Sequence, residues 1–160
     1  MSSQIIGLQD WFQTPPGRYL LDWERIQLDA AVADIFGYHA LQLGLPEIDA
    51  LQANRMPHRW LASGTSQGRE LQQDGRDVPA ATQGVSAALV TDFTALPFPQ
   101  SSLDLVVLPH ALELHPDPHA TLREVERVLV PEGRVVICGL NPASLWGLRQ
   151  RRGHLYQRMG

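Results

Sequence analysis

Short apolar runs separated by turn residues dominate the chain after Gly37. Residues 38–43, 59–62, 87–90, 103–108 and 134–138 each read as a strand. The run Leu105-Val106-Val107-Leu108 is continuously apolar, as expected of a strand buried on both faces. Ahead of these strands, residues 22–36 place Ile26, Ala30, Ala33 and Phe36 near helical spacing, with Val32 and Ile35 beside them and Gly37 as a stop. That spacing predicts one amphipathic helix. The segment before it carries Trp11, Phe12, Pro15, Pro16, Gly17, Tyr19 and Trp23, which read as an aromatic, turn-rich loop packed on the domain. A second helix lies between the fourth and fifth strands. Asp117 is its N-cap, Pro118 takes the first helical position, and Leu122, Val125, Val128 and Leu129 form its apolar stripe. Pro131-Glu132-Gly133 then ends that helix and turns into the fifth strand.

Strands alternating with helical connections imply βαβ units, right-handed crossovers and a parallel sheet. The expected fold class is therefore α/β, a Rossmann-like three-layer αβα domain. Residues 63–83, rich in Gln, Gly and Asp, read as a loose loop. We divide the chain into a lead-in and helix (1–36), a central α/β domain (37–140) and an Arg-rich tail (141–160), one domain overall.

Two segments carry a resemblance. The first runs Thr91-Asp92-Phe93-Thr94-Ala95-Leu96-Pro97-Phe98 into the fourth strand, and the second is Arg127-Val128-Leu129-Val130-Pro131-Glu132-Gly133. Together they resemble the class I S-adenosylmethionine-dependent methyltransferases, in a small-molecule, type 11-like branch. The resemblance implies a mostly parallel sheet of order 3-2-1-4-5 that here lacks the usual last two strands. It implies S-adenosylmethionine as cofactor, with Asp92 accepting a hydrogen bond from the exocyclic amine of the adenine. A carboxylate suits that place because it accepts and cannot donate. Phe93 would lie against the purine, and Leu108 and Pro109 would wall the methionine end. Gly44 stands at the first glycine of the cofactor turn, with Leu45 after it, and a glycine there lets the backbone approach the cofactor closely. Gln42 replaces the usual acid, and Pro46 and Ile48 replace the second and third glycines. No residue of 62–66 supplies the acid that the family places on the ribose.

The segment 109–119 holds His110, His115 and His119 beside Glu113 and Asp117. Imidazole and carboxylate are metal ligands, but Pro116 and Pro118 break any helix that would gather them, so no metal site is expected. No catalytic residue is assigned: His110, next to Pro109 on the pocket wall that the resemblance implies, is a weak candidate for a general base near neutral pH, and an ordinary capping or surface histidine is the alternative.

Composition narrows the remaining choices. Of the 160 residues, 44% are apolar and 19% charged, which describes a chain able to bury a core. The 13 basic residues are all Arg, so Schiff-base and phosphate-loop lysines are excluded. A net charge of −4 gives no indication of a nucleic-acid partner. The apolar runs are too short to span a membrane and the first residues lack an export pattern, so the expected location is cytoplasmic. The one cysteine, Cys138, falls in an apolar run and reads as inert.

Two function readings stay open. The first is methyl transfer to a small-molecule substrate, favoured by Asp92. The second is a methyltransferase-like module that binds no cofactor and acts in protein interaction, favoured by Pro46 and Ile48. With order 3-2-1-4-5 the fifth strand is an edge, where either pairing with a second copy of the chain or covering by the tail is expected.

Overall fold

A computed structural model describes residues 8–64 and 87–140. The elements run α1 (Leu8–Phe12), α2 (Pro15–Val32), β1 (His39–Leu43), β2 (His58–Gly64), β3 (Ala87–Thr91), β4 (Leu103–Pro109), α3 (Ala111–Leu114), α4 (Pro118–Val128) and β5 (Leu129–Cys138). The strands form one sheet of order β3-β2-β1-β4-β5, with every neighbouring pair parallel. Leu41 sits between Trp60 on β2 and Val106 on β4, which fixes the central register. β1 and β4 are buried nearly throughout, as their continuous apolar runs require.

Each face of the sheet has its own core. On one face Leu21, Leu28 and Val32 of α2 join Phe12, Ala40, Leu105 and Val107. On the other, Val125 and Val128 of α4 cover Leu41, Leu43, Val106 and Leu108. Asp104 sets the start of β1 by accepting the Tyr38 and His39 N–H groups at 2.9 and 3.0 Å. A Cβ at Gly37 would lie 2.6 Å from the Asp104 side chain, so only glycine admits that approach.

The two motif segments turn out to be bonded to one another. Glu124 accepts the Leu96 N–H at 2.8 Å, and Arg127 donates to the carbonyls of Leu96 and Phe98 at 3.0 Å each. Arg127 also pairs with Glu124 at 2.8 Å. The Leu-Pro-Phe loop is thus held on α4 by a planar guanidinium whose fork geometry suits several acceptors at once.

The structure corrects the sequence-based expectation in the lead-in, in α2, in α4, in β5 and between β1 and β2. The aromatic lead-in is helical: Thr14 caps α2 by accepting the Gly17 N–H, and Pro15 and Pro16 occupy its first turn, where no N–H is needed. The buried stripe of α2 is Gly17, Leu21, Glu24, Leu28 and Val32, whereas Ile26 is 61% and Phe36 73% exposed. The helix ends at Val32, before Gly37. On α4 the buried positions are Thr121, Val125 and Val128, with Leu122 at the surface and Leu129 already in β5. β5 begins at Leu129, and Pro131-Glu132-Gly133 forms an irregularity within it, because Leu103 pairs with Leu129 and Leu105 with Arg134. The connection from β1 to β2 is a series of turns without a helix. The loop expected over 63–83 lies mostly outside the described residues, as does the Arg-rich tail.

Candidate functional site

The connections from β1 and β4 leave the sheet on opposite faces, which makes the carboxyl ends of these two neighbours the topological switch point where α/β sheets bind ligands. Gly44 follows β1 with φ +78°, a conformation that favours glycine, and its N–H donates to the Ala62 carbonyl at 2.7 Å. A Cβ placed there would lie 3.7 Å from the Phe93 ring and 3.8 Å from the Ala111 Cβ. The turn after β1, the loop after β3 and the start of α3 therefore converge on one spot.

Gln42 organises that turn from below. Its Nε2 donates to the carbonyls of Gly44, Leu45 and Ile48 at 3.0, 3.0 and 2.9 Å, and its Oε1 accepts the Ala50 N–H at 2.9 Å. An acid at this position could make only the last of these bonds in its ionised form. Because the peptide unit is planar and trans, drawing the Gly44 carbonyl toward Gln42 turns the Leu45 N–H away from it. The Leu45 and Ile48 side chains enter the core with Phe12, Leu21 and Leu28, and Pro46 is buried.

Asp92 and Phe93 divide the loop after β3. The Asp92 side chain is 56% exposed. Its Oδ1 accepts from the Thr94 N–H and hydroxyl at 2.8 and 2.7 Å, and those bonds lower its pKa. Phe93 is buried and stacks on the His115 ring at 5.5 Å. Leu108 is fully buried among the α4-side apolar residues, and Pro109 pairs with Cys138 on β5.

His110 follows β4 as the N-cap of α3, in a left-handed conformation with φ 53°, and is completely buried. Its Nε2 lies 2.9 Å from Glu24 of α2, and its Nδ1 lies 3.1 Å from Glu113 of α3. Burial lowers its pKa, but hydrogen bonds with Cys138, Glu113 and Glu24 prevail and raise it to about 11. A ring held by carboxylates on both nitrogens is an ion-paired histidine, which leaves no free nitrogen for a general base. Glu24 was invisible as a site residue in the sequence, since its partner is 86 residues away. A cavity of about 480 Å³ adjoins the turn after β1, between α2 and that turn, and is lined by Arg18, Asp22, Arg25, Glu47 and Asp49. Burial raises the pKa of both Glu47 and Asp49.

The sheet order with this arrangement of strand-end loops defines a class I S-adenosylmethionine-dependent methyltransferase fold. Residues 60–137 match the family described as a methyltransferase domain, of type 11. The chain is 31% identical over 148 residues to the uncharacterised protein YafS of Escherichia coli, a match that covers 91% of this chain and 54% of that protein. It is 41% identical over 58 residues to malonyl-(acyl-carrier protein) O-methyltransferase of Halorhodospira halophila, covering 36% of this chain and 20% of the relative. The chain thus spans about half or less of the curated relatives it matches. A SAM-dependent methyltransferase of Thermotoga maritima superposes with a TM-score of 0.54 at 15% identity, covering 85% of this chain and 65% of that one, and shares the fold. No described helix is long and apolar enough to cross a membrane.

Proposed function

We propose that the chain binds S-adenosylmethionine across the switch point and transfers its methyl group to a small-molecule acceptor. The observation that carries this reading is the meeting of Gly44, Phe93 and Ala111 at the carboxyl ends of the central strands, with the Asp92 carboxylate exposed beside them. The residues fit the cofactor. Gly44 has a backbone conformation and a lack of side chain that allow close approach. Asp92 spends Oδ1 on Thr94, and a carboxylate has acceptor capacity left on its second oxygen for an exocyclic amine. The Leu45 N–H points away from Gln42, which holds the preceding carbonyl.

When bound, the cofactor supplies a sulfonium already reactive toward a nucleophile. The chain's part is to hold it, to align the acceptor and to exclude water. Phe93 and His115 give a stacked aromatic wall beside the Asp92 carboxylate. The charged cavity against α2, with Arg18 and Arg25 facing Asp22, Glu47 and Asp49, suits a polar acceptor of metabolite size.

Thermal unfolding with added S-adenosylhomocysteine tests the reading. Ligand at a hundred times its Kd stabilises by about 2.7 kcal/mol, which for a chain of this size raises Tm by roughly 5–10 °C. No shift at millimolar ligand would contradict it.

A further inference from the structure

Glu24, His110 and Cys138 come from α2, the end of β4 and the end of β5, far apart in sequence. One ligand atom from each lies within 4.8 Å of the others. They are a carboxylate oxygen, an imidazole nitrogen and a thiol sulfur, the donor types that bind zinc and related divalent ions. A tetrahedral ion with bonds of about 2.0–2.3 Å holds its ligand atoms roughly 3.3–3.6 Å apart; here His110 Nε2 and Glu24 are 2.9 Å apart and all three atoms lie within 4.8 Å. The fourth member of the cluster stands where metal sites place a supporting group. Glu113 lies 3.1 Å from His110 Nδ1, which leaves Nε2 facing Glu24. Histidine ligands are ordinarily oriented by such a carboxylate on the other nitrogen. Glu113 is itself held by the Leu140 N–H, and a Cβ at Gly139 would fall 2.6 Å from its Oε1.

We propose that Glu24, His110 and Cys138 form a three-ligand site for one divalent transition-metal ion, zinc by preference, with Glu113 orienting the imidazole and water completing the coordination. An ion there would tie α2 to the ends of β4 and β5. The site stands apart from the cofactor reading and does not depend on it.

Cobalt tests the site directly, because Cys138 is the chain's one cysteine, so any thiolate-to-cobalt charge-transfer absorbance must come from it. The whole chain is titrated with Co²⁺, both after long equilibration and after refolding in its presence. The expected result is one Co²⁺ per chain with the charge-transfer band, displaced by one equivalent of Zn²⁺. Cys138→Ala should lose the band while keeping its circular dichroism. Glu113→Gln should keep the band and bind about 10–100-fold more weakly. Absence of the band under both conditions, or substoichiometric binding unaffected by Glu113→Gln, would overturn the proposal and leave the cluster as an ion pair.

Discussion

Gln42→Glu replaces one buried nitrogen with an oxygen and should unfasten the turn after β1. In the native chain the amide serves three carbonyls and one N–H, all at 2.9–3.0 Å. A protonated glutamic acid has a single hydrogen for those carbonyls and so leaves one or two of them unsatisfied. At about 1–3 kcal/mol for each buried orphan, the loss is roughly 2–4 kcal/mol even in acid. For a chain of this size that lowers Tm by roughly 5–15 °C. Ionisation adds to the loss, since a carboxylate would face carbonyl oxygens in a buried place and its folded pKa must rise above the unfolded value near 4.3. A folded pKa that is raised means the native state holds the proton longer. Stability relative to the parent then falls as pH rises from about 4.3 to that folded pKa, by ~1.4 kcal/mol per unit. Urea unfolding of the parent, Gln42→Glu and Gln42→Met from pH 4 to 8 measures this. Gln42→Met should show a loss independent of pH. A Gln42→Glu chain within ~0.5 kcal/mol of the parent at pH 7 would refute the amide-donor account of the turn.

Other outcomes follow from the packing and the charges. Leu28→Ala should cost about 2–4 kcal/mol by emptying a buried position on α2, whereas Ile26→Gln, at an exposed one, should change urea stability by less than ~0.5 kcal/mol. The His110 pKa is raised to about 11, so in metal-free protein its ion pairs stabilise fully below the unfolded value near 6.5 and are lost as pH rises toward 11. Stability should fall over that alkaline window, and less steeply in Glu24→Gln. Glu124 has a lowered pKa from its bonds with Arg127, so its contribution is present above the ordinary carboxylate range and is lost as pH falls below it; Glu124→Gln should flatten the acid limb of the same profile.

Strands β1 and β4 were legible because each is a short apolar run and both are buried nearly throughout, whereas the first half of β5 was hidden because Pro131-Glu132-Gly133 within it reads as a turn. Helix α4 was legible from Asp117 and Pro118, a cap and first turn whose chemistry is local. Helix α2 was not. Pro15-Pro16-Gly17 carries turn chemistry and helix-start chemistry alike, and Gly17 is required because a Cβ would collide with the Trp11 carbonyl. Two stripes of α2 have helical spacing, and the buried one contains Glu24, whose charge argues for the surface until His110 is placed beside it. Asp92, Phe93 and Gly44 were legible as a set through the resemblance, and the fold brings their loops together. The job of Gln42 was hidden because it serves the backbone, and backbone acceptors leave no trace in a sequence.

The central claim is that the switch point holds the adenosine part of S-adenosylmethionine through Asp92. Calorimetric titration of S-adenosylhomocysteine into the parent chain and into Asp92→Ala tests it most directly. Asp92 is exposed, so the variant should fold with a Tm close to the parent's. The account predicts one site per parent chain and at least tenfold weaker binding in Asp92→Ala. No heat with the folded parent, or equal affinity in both, would contradict it.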